Sequence, residues 1–497
     1  MLLNLDNLIE KYDLHIKNVI HVGGHVGQEI DVYVRNNVQE VVFFEPQPHA
    51  FKALEAKCEK FRDVIKTVPH NVALGNETGR IPMHIERKNG GQSSSILKPK
   101  QHLVDYPDIK FEGTIDVIMT KLDNVINDKY KYDLINIDVQ GYELEVFRGS
   151  QEILPNIKYI YAEVNFCEMY EGNVLACDLD NFLSKFGFIP IETGELVNGH
   201  WSDRLYMNTK FVPKYANQVS VPNKFLQRPN NLYPNDNTIC FEKWFETVFF
   251  KGQDTSGRHY LPVNWTAHYT NNGYGKEKVS LDRLQSYIDS LSRKKKYFTI
   301  VQYDDGILND ISDLDIVVFS SGGRVKNINS VKNVIIPLMG MDHKFHLGGR
   351  EKDLLVSFVG KDTHPCRTKL LGTKGYGGDV LITSSDMEIS SYCKILARSK
   401  FVLAPRGYGA TSFRIWEALQ YGAIPIYISD DHLLPFGESF YMLKFGLDID
   451  YGELIQYLRE NESMLSKQFK YLKHGAKYEI FNYSATANRI IETLKNY

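Results

Sequence analysis

The sequence predicts an α/β protein built on mainly parallel sheets, with one α/β domain in the first 212 residues and two further α/β lobes behind it. Three observations carry that prediction. Short apolar runs alternate with helix-period stretches along both halves of the chain. Each half holds one strand, glycine loop and helix in succession, VIHVGGHVGQEI in the first and FVLAPRGYGATSFRIWEALQ in the second. A segment rich in Pro, Asn and Gln separates the halves, and 497 residues exceed what one hydrophobic core supports.

In the first half the expected strands are 19–24, 40–45, 63–68, 132–138 and 157–164, with helical patterns such as PHAFKALEAKCEKF between them. FGFIPIET and DRLYMNTKFV are spaced like a closing antiparallel pair. Residues 213–238 are expected to be a linker, because turn formers dominate and periodic apolar positions are few. Strands are expected next at 295–303, 314–321, 332–338, 352–360, 399–405 and 423–429. The turn-like stretch MDHKFHLGGR divides this part into lobes at 239–345 and 346–497.

Bulk properties exclude several classes. A formal net charge of −3 offers no footprint for a polyanion, so a nucleic-acid partner is not expected. Cys58, Cys167, Cys177, Cys240, Cys366 and Cys393 are scattered without metal-like spacing, which predicts reduced thiols. The first 20 residues carry Asp6, Glu10 and Asp13 where a signal peptide needs an apolar run, and no segment has membrane-span composition. A cytoplasmic protein is the expectation.

The first loop runs from a buried-type strand through Gly23, Gly24 and Gly27 into a helix. Such glycines let the backbone turn sharply and approach a ligand, and the helix start adds a positive dipole end. Glu45 ends the next strand about 20 residues on, where Rossmann-type sites place the acid that accepts ribose hydroxyls. The spacing G-G-x-x-G and the closing antiparallel pair point away from a dinucleotide site and towards a methyltransferase sheet. Asp138 ends a later strand, again at the carboxyl edge where ligands sit.

Together VIHVGGHVGQE, FFEPQP, NVALGN, DLINIDVQGYELEVFRGSQEIL and WSDRLYMN resemble the FkbM family of S-adenosylmethionine-dependent O-methyltransferases over residues 15–210. The resemblance implies that Gly23, Gly24 and Gly27 line the methionine part of the cofactor, Glu45 holds the ribose, Asn71 to Ala73 lie near the adenine, and Asp138 lies near the methyl group or the incoming hydroxyl. His21 departs from the acidic residue many methyltransferases carry there. An alcohol nucleophile needs a base, and Asp138 and Glu163 are the candidates. The alternative is one cofactor-orienting carboxylate and one structural cap. His25 and His49 read as solvated loop histidines, and NGGQSSSIL as a substrate loop or a plain surface loop.

The second loop brings Arg406, Gly407 and Gly409 to a helix that Ser412 can cap, with Arg414 and Glu417 one turn apart on it. Guanidinium forks, backbone N–H groups and a helix dipole suit a diphosphate. An Arg414–Glu417 surface ion pair with ordinary glycine turns explains the same spacing.

PRGYGATSFRIWEALQYGAIPIYISD, with LLVSFVGKDTHPCR, FEKWF and YLPVNWT upstream, resembles the exostosin family of glycosyltransferases. That resemblance implies a GT-B fold of two Rossmann-like lobes and metal-independent inverting transfer from a nucleotide-sugar. Arg367, Arg406 and Arg414 would offset the leaving diphosphate's charge and Glu417 would hold the ribose. The base should come from the lobe before the donor lobe, where QYDDG offers Asp304 and Asp305 or simply a good turn. The D-L-D at 313–315 reads as a solvated turn, and His343 and His346 have no third ligand in view, so no metal site is expected. The combined expectation is a bifunctional enzyme that transfers a sugar to a glycan acceptor and O-methylates a sugar hydroxyl. The alternatives are one catalytic half beside a binding half, or a carbohydrate-binding protein without catalysis.

Overall fold

The computed structural model describes residues 3–226, 240–323, 330–339, 352–373, 376–384, 387, 389–437, 442–469 and 482–497. The chain forms two compact units, Met1–Val212 and Pro213–Tyr497. No disulfide joins the six cysteines, and no described helix is long and apolar enough to cross a membrane.

In the first unit the strands are β1 (Asn18–Val22), β2 (Glu40–Phe44), β3 (Lys66–His70), β4 (Ala73–Leu74), β5 (Gly79–Glu86), β6 (Phe111–Thr120), β7 (Leu134–Ile137), β8 (Tyr159–Asn165), β9 (Phe188–Thr193) and β10 (Trp201–Asn208). Seven of them make one sheet in the order β3-β2-β1-β7-β8-β10-β9. Every neighbouring pair is parallel except those made by β10, which runs antiparallel to both β8 and β9. β1, β2, β7 and β8 are short apolar runs covered on both faces, which is why they read as continuous rather than alternating. One face packs Ile20, Val42, Ile135, Ile160 and Ala162 against Val146, Leu179 and Leu183 of the helices Glu143–Arg148 and Ala176–Ser184. Arg204 of β10 is buried and donates to Asp180 at 2.7 Å, and Tyr206 donates to the same carboxylate at 2.7 Å. Removing one partner of such a buried pair costs roughly 3–5 kcal/mol.

The sequence reading holds no strands between residues 73 and 120, yet β4, β5 and β6 form a separate three-stranded sheet there, in the order β4-β6-β5. Met83 and Ile85 alternate inward on β5 and Val117 and Met119 on β6, giving it a small core of its own.

Among the described residues the second unit holds two all-parallel sheets. The first contains β11 (Arg258–Tyr260), β12 (Lys296–Val301), β13 (Asp315–Ser320) and β14 (Val331–Ile335) in sequential order. The second contains β15 (Leu354–Val359), β16 (Val380–Thr383), β17 (Ser399–Pro405), β18 (Ile424–Ile428) and β19 (Leu443–Phe445) in the order β16-β15-β17-β18-β19.

Two sequence boundaries shift. Residues 213–226, expected to be linker, run beside β11: Val219 N–H donates to the Tyr260 carbonyl at 2.8 Å, and Val221 and Phe225 are buried in the first lobe's core. Val219, Val221 and Phe225, the last in a single 3-10 turn at Asn223–Phe225, suffice to dock it without a longer helical period. The rest of that linker, the lobe division at 345/346, and His343 and His346 lie outside the described residues. The helix Tyr483–Leu494, assigned by sequence to the second lobe, instead closes the first. Tyr483 packs on Phe241 and Trp244 at ring separations of 5.1 and 5.3 Å, and Arg258 donates to the Tyr497 carbonyl at 3.0 Å.

Candidate active sites

A cavity of about 930 Å³ opens at the carboxyl ends of β1, β2, β7 and β8. Gly23, Glu45, Ala73, Asp138 and Glu163, all expected from sequence, line it. Gly23 has φ +86°, and a Cβ there would stand 1.9 Å from the Asp138 carbonyl oxygen, so only glycine lets the loop after β1 lie against the end of β7. Gly24 and Gly27 are not in the lining. Their Cβ positions point at Phe43, Leu54 and Ile30, so both serve the packing of the loop on the core.

Glu45 is buried and accepts the backbone N–H groups of His25 and Gln47, each at 2.8 Å. It thereby ties the ends of β1 and β2 together, while burial still raises its pKa. Asn71 is exposed and donates to the Glu45 carbonyl at 2.8 Å, whereas its neighbours Val72, Ala73 and Leu74 reach the cavity. His21 is buried with its Nδ1 2.9 Å from the Tyr33 hydroxyl, which Asn136 donates to at 2.7 Å. Burial lowers its pKa, so a neutral ring occupies the position where an acid is common.

The two candidate bases meet through a third residue. Gln140 Nε2 donates to Asp138 at 2.7 Å and to Glu163 at 3.3 Å, and its own Oε1 accepts from the Tyr170 hydroxyl at 2.7 Å. Gln140 holds a left-handed φ of 55° to do so. Burial is the main reason both carboxyls are shifted upward; the charge of Asp138 adds to the rise at Glu163, and that of Glu29 to the rise at Asp138. Two further carboxyls join them. Asp203 on β10 stands opposite Glu163 in the strand register and is pushed to about 6 by burial. Glu143 accepts from the N–H groups of Val139 and Gly141 through one oxygen, the other has no partner, and burial pushes it to about 7. Neither was singled out from sequence. The NGGQSSSIL segment packs here too, with Ser95 donating to the Gln140 carbonyl at 2.8 Å.

In the second unit the loop after β17 is built from below. Arg414 Nε donates to the Val359 carbonyl at 2.9 Å, a reach that a side chain at Gly360 would block. Arg367 donates to the carbonyls of Arg406 and Pro405 at 2.9 and 3.0 Å. The two guanidiniums lie over the Phe358 ring at 4.9 and 5.9 Å. These contacts hold the loop backbone in place. Arg406 is the more outward cation: it pairs with Asp430, and its buried Nε has no partner. Thr363 Oγ1 is also buried without a partner, 3.4 Å from where a Cβ on Gly407 would lie. Two unfilled donors beside one loop fit an anionic group. Ser412 caps the helix Phe413–Gln420, and the buried Glu417 accepts from Tyr392 at 2.6 Å.

The first lobe brings one of its two candidate bases to this loop. Asp304 sits so that a Cβ on Gly409 would be 2.7 Å from its Oδ1. Burial and the neighbouring Asp305 raise the Asp304 pKa, against the pull of Arg406 and Arg367. Asp305 is exposed. At 313–315, Asp313 pairs with Arg293 at 2.9 Å and Asp315 with Arg258 at 2.8 Å. Among the described residues no three His, Cys, Asp or Glu side chains gather as a metal site.

Residues 21–190 match the Methyltransferase FkbM domain, and residues 308–459 match the Exostosin GT47 domain. The chain is 30% identical over 213 residues to the 2-O-methyltransferase NoeI of Sinorhizobium fredii, covering 41% of this chain and 83% of that protein. It is 27% identical over 296 residues to the Exostosin-1 homolog of Caenorhabditis elegans, covering 51% of this chain and 72% of that one. A probable glycosyltransferase of Arabidopsis thaliana is 24% identical over 246 residues, and the chain spans only 51% of its length.

Proposed function

This chain belongs to the FkbM methyltransferase family through its first unit, and from that premise, with an exostosin GT47 domain in its second, we propose a bifunctional enzyme of glycan assembly. The first unit O-methylates a sugar hydroxyl, and the second transfers a sugar from a nucleotide-sugar donor with inversion. The observation that supports this most is the convergence of Gly23, Glu45 and Asp138 on one cavity at the carboxyl edge of the sheet.

For the methyl transfer, Gly23, Glu45 and the Val72–Leu74 segment would hold S-adenosylmethionine, which supplies an electrophilic methyl group on a sulfonium. The residues of this chain do the rest. Asp138 and Glu163, bridged by Gln140, accept the proton of the attacking hydroxyl, and burial makes them better proton acceptors than solvated carboxylates. For the sugar transfer, Arg406, Thr363 and the loop N–H groups hold the donor's diphosphate and stabilise it as it leaves. Asp304 takes the proton of the acceptor hydroxyl as the new glycosidic bond forms. Arg367 and Arg414 act by holding the loop, and Glu417 binds the ribose.

Mass spectrometry of acceptor glycans incubated with a panel of nucleotide-sugars, with and without S-adenosylmethionine, tests this reading. Asp138→Asn should stop methylation and leave sugar transfer, and Asp304→Asn should do the reverse. Loss of both activities from either variant in a folded protein would refute two independent centres, and binding of neither co-substrate to the wild type would leave a carbohydrate-binding protein.

A further inference from the structure

The methyltransferase cavity extends past the carboxyl cluster to an outer end that the proposed cofactor and base residues do not explain. There the strand register sets side chains in rows. Asn136 of β7 stands beside Tyr161 of β8, Glu163 of β8 beside Asp203 of β10, and Asn165 of β8 beside Trp201 of β10. Tyr161, Glu163 and Asn165 alternate along one strand, so they share a face, and all three line the cavity. Asn165 is the outermost of them and only 2% exposed, yet neither its Oδ1 nor its Nδ2 has a partner. His102, 4% exposed and also in the lining, has an unpartnered Nδ1.

Burying an amide with both ends unmet costs free energy, so its retention calls for a ligand that meets it. An amide offers one acceptor and one donor side by side, which matches two neighbouring hydroxyls of a ring. Trp201, whose Nε1 donates to the Tyr106 hydroxyl at 3.2 Å, adds an apolar ring surface next to that amide. The next row inward pairs two carboxyls, Glu163 and Asp203, an environment that favours a neutral polyol over a phosphate.

We propose that this outer end is the acceptor subsite, where the Asn165 amide grips two adjacent hydroxyls of an uncharged pyranose, His102 meets a third polar group, and Trp201 packs on the ring face. The proposal rests on the methyltransferase reading, and its test separates the two. The full-length protein is titrated with S-adenosylhomocysteine by calorimetry. Methyl glycosides of the common hexoses and 6-deoxyhexoses, and their singly deoxygenated forms, are then followed by saturation-transfer NMR with S-adenosylhomocysteine present. The wild type should bind the best glycoside about tenfold more tightly than the two forms lacking the gripped hydroxyls. Asn165→Val should weaken the parent glycoside by about tenfold and no longer distinguish those two forms, with S-adenosylhomocysteine affinity unchanged. Its ligand-free melting temperature should rise, because a buried unmet amide has gone; an amide with a purely structural role would lower it. Asn165→Ala serves the same comparison if valine crowds the strand.

A wild type that binds S-adenosylhomocysteine but no glycoside, or an Asn165 variant that still discriminates the deoxygenated forms, overturns the subsite alone. A wild type that does not bind S-adenosylhomocysteine overturns the methyltransferase reading and the subsite with it.

Discussion

Asp304 and Gly409 meet across the two lobes of the second unit: a Cβ on the glycine would lie 2.7 Å from Asp304 Oδ1 and 3.2 Å from its Cβ. A side chain at position 409 would therefore press directly on the carboxylate. Gly409→Ala should displace Asp304 and lower sugar transfer by up to about a hundredfold, the cost of a misplacement of about 1 Å. Nucleoside diphosphate affinity should change little. Initial rates beside calorimetric titration of the nucleotide check both halves of the expectation.

Arg414 is a test of whether the loop is held by a fork or by a charge. Its guanidinium donates to the Val359 carbonyl through two nitrogens and covers the Phe358 ring. Lysine keeps the charge but cannot supply the planar pair of donors. Arg414→Lys should destabilise the protein by about 2 kcal/mol and weaken donor binding, as read by denaturant unfolding and by KM for the nucleotide-sugar.

The pH dependence of methylation follows from the raised carboxyls. Asp138 and Glu163 must be ionised to accept a proton, so activity should rise with pH, with its acid limb above the value near 4 of ordinary carboxylates. The Gln140 amide donates to their ionised forms and holds both pKa values down. Gln140→Ala should therefore move that limb upward by about one pH unit, measured on kcat/KM profiles.

Glu143 makes a stability prediction of opposite sense to a salt bridge. Its folded pKa of about 7 lies above the unfolded value near 4.5, so the folded state binds the extra proton. Its contribution is most favourable below the unfolded value and is lost as pH rises towards 7. Glutamine can accept the same two N–H groups without the charge. Glu143→Gln should be near neutral at pH 4.5 and stabilising by on the order of 2 kcal/mol at pH 8, checked by thermal unfolding at both values.

How far the sequence revealed this molecule depends on whether the information was local. The seven-stranded sheet and both glycine loops are written in short apolar runs and turn residues, and they fall within a few residues of where they were expected. The small sheet was also legible: Ile81, Met83 and Ile85, then Ile115, Val117 and Met119, alternate as half-buried strands do. Other features were not local. Arg367 and Arg414 look like phosphate ligands until their carbonyl partners, up to 55 residues away, are seen. Asn165 carries no motif, and only the register with Trp201 and the lack of a partner single it out.

The return of residues 482–497 to the first lobe has a consequence for synthesis. During translation Phe241 and Trp244 emerge more than 200 residues before Tyr483, the ring that covers them. The first lobe can then build its β11–β14 sheet early but must keep an aromatic face uncovered until the second lobe has been made. A chain released before residue 482 would expose that face permanently, which makes it a natural handle for chaperones and a marker for the clearance of unfinished copies.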